Sequence, residues 1–266
     1  MAGTFSSPGP GVALATLFLL PAVASAFQPL VTDDTGTQGA GGNQLEAAYN
    51  RTVDKTPDAR VVTHEAPLVF TRGVSDTLDL YAGIGYQRIA PPAPEPVERG
   101  WGNPAVGAKW RFYENDAAKL SFALKPEIQF PVSKNKEARG LGTARTSYSV
   151  NLVMTQETGF GAVHANLVAE RVRYAADALN LAERRTLYRL SAAPVWDVAE
   201  GWKLALDAGL TTDPDPAARS RIGYVELGAI YSPGKDLDLA FGIIRNVRDG
   251  AASTTEATFG LTWRFL

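Results

Sequence analysis

The chain contains two histidines, His64 and His164, so imidazole chemistry would have to run through one of them. On an extended strand His164 and Asn166 point to the same side, and with a serine they would make the triad of an outer-membrane lipid hydrolase. No serine lies within two residues of either histidine. One could still approach from a neighbouring strand, but the plainer reading of His164 is an interior or interface histidine, and no catalytic residue is assigned. Asp33-Asp34 offers hard oxygens of the kind that bind a divalent cation, yet such a pair more ordinarily forms an Asx-turn. The turn is the reading adopted, and neither a metal site nor a cofactor is expected. Asp213-Pro214-Asp215-Pro216 reads as a rigid loop. Gly39-Ala40-Gly41-Gly42-Asn43 lacks the spacing of a phosphate-binding fingerprint and has no strand before it, so it reads as a flexible linker. Cysteine is absent, which removes thiolate ligands, redox pairs and thiol nucleophiles and suits passage through an oxidising compartment. With 26 basic against 28 acidic residues, the basic footprint of a nucleic-acid-binding protein is missing.

The first 26 residues carry no charged side chain, are apolar or small from Val12 to Ala26, and end Ala24-Ser25-Ala26. This is the pattern of a signal peptide cleaved after Ala26. A spanning helix would need about 20 apolar residues, and the run here is shorter and interrupted by Pro21. Residues 1–26 are therefore expected to be a signal peptide. Residues 27–43 follow as a periplasmic or plug segment whose glycines permit either role, and residues 44–266 form the remainder.

That remainder alternates with period two. Apolar residues occupy every second position at Leu45, Ala47 and Tyr49, at Leu78, Leu80, Ala82, Ile84 and Tyr86, and at Trp202, Leu204, Leu206, Ala208 and Leu210. The same rhythm runs through residues 106–112, 120–130, 148–154, 163–167, 188–196, 225–231, 237–243 and 257–265. Residues 60–72 are also extended, though Pro67 and mixed parity leave their outward face ambiguous. With no later helix-length apolar segment, a membrane protein of this pattern must be a barrel, because only a closed sheet or a helix satisfies its backbone in lipid. Twelve strands, at about 20 residues per strand and connection, predict an all-β, antiparallel up-and-down transmembrane β-barrel. A soluble barrel or sandwich would share the alternation with its apolar face inward. Connections near residues 73–76, 114–118, 157–159, 198–201 and 232–235 are short. Those near 53–58, 90–102, 131–146, 175–183, 212–220 and 247–253 are mostly longer and richer in charge, proline or glycine. Short periplasmic turns and longer external loops read this way. Trp110 and Phe112, like Trp263 and Phe265, end their strands as interface anchors.

The opposite parity defines a polar interior. It places Glu46, Asp79, Glu127, Glu170, Asp207, Glu226, Asp238 and Glu256 with Lys109, Arg111, Lys125, Arg189, Lys203 and Arg264, and adds His164. Such a mixed set can line a watery channel or pair into salt bridges that fill it, and a twelve-strand bore lies between the filled and open extremes.

Residues 27–46, reading FQPLVTDDTGTQGAGGNQLE, resemble the start of the bacterial outer-membrane family described as "putative MetA-pathway of phenol degradation", most specifically at Pro29-Leu30-Val31-Thr32-Asp33-Asp34-Thr35-Gly36-Thr37. Gly102-Asn103-Pro104-Ala105-Val106-Gly107-Ala108-Lys109-Trp110-Arg111-Phe112-Tyr113 and Gly140-Leu141-Gly142-Thr143 are similar to its strand and loop patterns. The resemblance implies an outer-membrane barrel of a Gram-negative bacterium that passes aromatic or other hydrophobic solutes, and it supplies no catalytic residues. Its implied partners are membrane lipids, a small-molecule solute and the barrel-assembly machinery, which reads a terminal aromatic; here Leu266 follows Phe265. The expected function is thus a transporter-like channel, with a lipid hydrolase or a closed structural or binding barrel as the alternatives.

Overall fold

A computed structural model describes residues 29–217, 221–248 and 252–266. The expected signal peptide and parts of the loops at 212–220 and 247–253 lie outside the described residues. The strands are β1 (Asn43–Lys55), β2 (Arg60–Ser75), β3 (Leu78–Ala90), β4 (Glu98–Trp101), β5 (Ala105–Asn115), β6 (Leu120–Gln129), β7 (Ser147–Thr158), β8 (Gly161–Arg171), β9 (Thr186–Ala199), β10 (Trp202–Thr212), β11 (Arg221–Tyr231), β12 (Leu237–Arg248) and β13 (Ser253–Phe265). Every pairing is antiparallel, and β1 joins β2 on one side and β13 on the other, from Asn43↔Phe265 to Lys55↔Ser253. The sheet therefore closes on itself.

Thirteen segments make a twelve-stave barrel because one stave is broken. The β4 strand pairs with the far half of β3 (Tyr86↔Trp101, Ile89↔Glu98), and β5 with the near half (Gly83↔Ala105, Leu78↔Trp110). Residues 90–102, expected to be a loop throughout, thus include a short strand. Between β4 and β5, Pro104 cannot donate to a ladder, and Asn103 turns inward with 1% of its surface exposed. Its Nδ2 donates to the carbonyls of Phe130 (2.6 Å) and Thr143 (2.8 Å), and its Oδ1 accepts from Thr143 N (2.8 Å). The side chain thus stands in for missing sheet hydrogen bonds and ties the 131–146 loop to the break. That loop carries the short helix α1 (Lys134–Ala138), and its Leu141 is fully buried.

Outside, the apolar parity is exposed: Leu190 60%, Ile243 60% and Leu227 66%. Inside, Asp207, Glu226, Glu46 and Lys125 are almost fully buried. This is the inverse of a soluble barrel, and it is the arrangement of a chain whose outer surface meets lipid. Among the described residues no helix is long and apolar enough to cross a bilayer; the strands do so. Residues 60–72 resolve cleanly, with Leu68 and Phe70 outward and Val69 and Thr71 inward. His64 also faces outward, and its Nδ1 lies 2.6 Å from the Tyr49 hydroxyl, so each satisfies the other on an apolar face. Aromatic pairs gather at the short-turn end, including Trp263–Phe265 (4.6 Å), Trp202–Tyr231 (4.7 Å) and Phe160–Trp196 (5.9 Å). They form the expected interfacial girdle.

The glycine run at 39–42 is not a free linker. Gly41 N donates to Gly73 O (3.0 Å), Gly73 N donates to Gly42 O (2.9 Å), and Gly39 and Gly41 hold φ of 73° and 87°. The run forms a fixed collar on the β2–β3 turn. A methyl group on Gly73 would lie 1.8 Å from Gly39 O. Gly73→Ala is expected to push the collar off the turn and lower barrel stability by about 1–3 kcal/mol. Urea unfolding in detergent checks this, and an unchanged midpoint would mean that the collar yields without cost.

Candidate functional site

The polar interior is crossed by the chain's own N-terminal segment. Beyond the collar, residues 29–38 run from β3 to the far wall, and their backbone donors, which cannot pair within an irregular strand, are met by wall side chains. Gln38 N donates to the Asp79 carboxylate (3.0 and 3.1 Å). Thr35 N donates to Thr155 Oγ1 (3.1 Å), and the Thr35 hydroxyl contacts Ser121 Oγ (2.6 Å). Asp33 N donates to Asn166 Oδ1 and Asn166 Nδ2 donates back to Asp33 O, both at 2.8 Å. Thr32 N donates to Asp207 Oδ2 (2.7 Å), and Val31 N to Glu226 Oε2 (3.1 Å). Leu30 packs with Ala193, Val195 and Ala205. The adjoining wall is cut away for the segment, because a Cβ on Gly228 or Gly242 would stand 2.9 or 3.0 Å from the Pro29 ring.

The strongest anchor is Asp33, 3% exposed. Its Oδ1 accepts from Lys109 Nζ (2.9 Å) and its Oδ2 from Lys125 Nζ (2.6 Å). Burial by itself pushes the Asp33 carboxyl up, but the two ammonium groups outweigh it and hold the acid below its usual range. Both oxygens are thus taken by lysines rather than offered to a cation. Asp34 forms the expected Asx-turn, its Oδ1 accepting from Gly36 N (2.5 Å).

The fifteen interior residues named from parity do not form one site. A cavity of about 280 Å³ between the segment and the wall that runs from β12 through β13, β1, β2, β3 and β5 to β6 brings Glu46, Asp79, Lys109, Lys125, Asp238 and Arg264 together with Asp33, Asp34 and Tyr81. At its rim Arg264 Nη2 meets Asp238 Oδ2 (2.7 Å). The others stand apart. Arg111 meets Glu114 (3.4 Å), Lys203 meets Asp197 (3.2 Å), and Glu256 accepts from Thr52 Oγ1 (2.6 Å). Glu127 accepts from the Tyr81 hydroxyl (3.2 Å), Asp207 and Glu226 grip the segment, and Glu170 is buried with Arg189 nearby. His164 Nδ1 lies 2.9 Å from Thr155 Oγ1, while Asn166, the residue that would have to orient it in a hydrolase, is committed to Asp33 and Asn151.

Neither the anchoring role of Asp33 nor the two inward tyrosines, Tyr81 and Tyr224, is among the residues expected from parity. Tyr81 lies against Gly107, its register partner, and Tyr224 against Gly209 in the same way; a Cβ on either glycine would come within 2.3 or 2.5 Å of the ring. An aromatic on the polar parity facing a glycine across the ladder is the signal that could have found them.

Residues 26–265 match the family described as "Putative MetA-pathway of phenol degradation". Among solved structures, the COG4313 outer membrane channel from Pseudomonas putida F1 is similar at 13% identity and a TM-score of 0.75, over 87% of this chain and 98% of that one. The NanC porin is similar at 10% identity and a TM-score of 0.54, over 82% and 98%. The KdgM porin in complex with disordered oligogalacturonate follows at 11% and 0.53, over 83% and 99%. At these identities the likeness speaks for the fold, a closed membrane barrel of outer-membrane type. A sequence search of curated proteins finds no match.

Proposed function

The chain belongs to the family described as "Putative MetA-pathway of phenol degradation", and from that premise we propose that it is a passive outer-membrane channel for small hydrophobic or aromatic solutes, narrowed at rest by its own N-terminal segment. The observation that carries this reading is the aqueous cavity beside residues 33–38, inside a barrel whose outer face is apolar and whose inner face is charged. In this reading Glu46, Asp79, Lys109, Lys125, Asp238 and Arg264 line the free part of the route. Arg111, Glu127, His164, Glu170, Arg189, Lys203, Asp207, Glu226 and Glu256 complete the wall or hold the segment. The near balance of carboxylates and cations argues against strong ion selection and in favour of screening by size. Its partners are the lipids around it, the machinery that assembles such barrels, and the solute.

Flux of phenol-sized neutral and anionic aromatics into proteoliposomes tests the proposal. Entry faster than into protein-free liposomes, with low single-channel conductance, is the expected result. Flux equal to that of empty liposomes, for both the full chain and a variant with a released segment, would sink it. That outcome would favour the closed binding barrel, a reading supported by the number of walls the segment touches.

A further inference from the structure

At the loop end of β7, β8 and β9, Arg145, Arg171, Arg173 and Arg185 line a recess of about 210 Å³ with Tyr174 and Asn180. The four arginines come from three neighbouring staves: Arg145 precedes β7, Arg171 ends β8 with Arg173 just beyond it, and Arg185 precedes β9. Val172 N donates to Arg185 O (2.8 Å), which carries the β8–β9 pairing one step past Arg171 and Thr186, and Arg173 N donates to Ser147 Oγ (3.2 Å). Asn180 braces the loop, its Oδ1 accepting from Tyr174 N and its Nδ2 donating to Tyr174 O (2.9 Å). The backbone framework therefore holds four guanidinium groups around one space, and all four are exposed.

Among the described residues, no carboxylate stands within ion-pair distance of any of the four. Arg171 donates one bond, to Thr186 Oγ1 (2.6 Å), and keeps its other donors. The acid packed under these loops, Glu137, is spent on backbone: it accepts from Ala144 N (2.6 Å), Ala175 N (3.0 Å) and Ala176 N (2.9 Å). Burial, with Glu183 and other acids beyond it, pushes the Tyr174 phenol up to about 12, so the hydroxyl stays a neutral donor. Four like charges around one space repel each other unless an anion sits among them, and guanidinium forks match tetrahedral oxyanions.

The height and orientation of the recess indicate the source of the anion. Arg171 is paired in register with Tyr148, whose ring is 45% exposed on the outward face, and Tyr188 on the next strand is 57% exposed. Exposed tyrosines at the end of a membrane strand mark headgroup level, so Arg171 stands beside the lipid headgroups rather than over the bore. The geometry points to a binding site for the phosphate groups of an outer-leaflet glycolipid, formed by Arg145, Arg171, Arg173 and Arg185 with Tyr174. This site is independent of solute passage and would fix the orientation and lipid shell of the barrel.

Native mass spectrometry of the full chain in detergent, with lipid A carrying its phosphates and with the dephosphorylated lipid, provides the test. Wild type is expected to retain the phosphorylated form and not the other. Replacing all four arginines by glutamine should lower retention by about tenfold or more. A variant that keeps its heat-modifiable gel shift and still binds the lipid as wild type does would overturn the assignment. So would equal retention of the dephosphorylated lipid, a comparison that needs no variant. Addition of inorganic phosphate separates the sources. Thermal protection by millimolar phosphate without lipid retention would make a soluble oxyanion the ligand and reject the lipid.

Discussion

Asp33→Ala should convert a barrel of low conductance into one that passes several-fold more current, without unfolding it. The carboxylate makes the closest ion pairs between residues 29–38 and the wall, with Lys109 and Lys125 at once, while Asp34 adds a longer one to Lys109 (3.8 Å). Removing the acid that two buried ammonium groups share costs about 3–5 kcal/mol. The contacts that remain at Thr32, Val31 and Thr35 are hydrogen bonds, each worth about 0.5–1.5 kcal/mol net. The loss falls on the docked state alone, because the barrel wall closes without the segment. Lys109 and Lys125 are then free to be hydrated once the segment leaves. Planar-bilayer recordings of wild type and variant read the change. Equal conductance from a variant that keeps its heat-modifiable gel shift would show that the segment does not limit passage. The same anchor predicts a pH response. The folded acid titrates below its ordinary value of 3.8, so its contribution is fully present above that value and is lost as pH falls through the lower, docked value. Acidification to about pH 5 should therefore leave the difference in conductance between wild type and Asp33→Ala unchanged, and that difference should shrink only in stronger acid.

The contrast between Asp33 and the strands explains what could be read from residues alone. Strand parity is a local signal: Leu78 to Tyr86 displays its lipid face within nine positions, and each neighbour repeats the same rule. Closure, stave count and the alternation of short turns with long loops follow from it. The segment at 29–38 has no period, and its contacts reach across the chain, with separations of 133 residues to Asn166, 175 to Asp207 and 195 to Glu226. No pattern near Asp33 could announce Lys109 and Lys125. The broken stave was hidden for a related reason. Glu98–Trp101 is too short to show alternation, and Asn103 becomes a surrogate for backbone only once the 131–146 loop lies against it. Parity cannot tell which interior charges face the cavity and which are spent on neighbours. Glu127 and Asp79 look alike in sequence, yet Glu127 is taken by Tyr81 and Gln129 while Asp79 borders the open space.

Leu227→Arg should destabilise the barrel by about 2–4 kcal/mol, the cost of a cation near the bilayer midplane. Leu227 sits in the middle of β11, 66% exposed, with Leu206 and Ile243 as its register partners on either side. Those neighbours offer no carboxylate and no hydroxyl, so the guanidinium would have to reach an interface or draw water into lipid. The informative control is Leu181→Arg. Leu181 is more exposed, at 82%, but it lies on the short loop helix α2 (Asp177–Ala182), beyond the strand ends. A substitution on a watered surface changes stability by about 0.5 kcal/mol or less. Folding into lipid vesicles, followed by the urea dependence of the gel shift, compares the two directly. A soluble barrel would tolerate both, because water would meet both leucines. A membrane barrel penalises the less exposed of the two and spares the more exposed, an inversion that exposure alone cannot produce and that follows only if the medium around β11 is hydrocarbon.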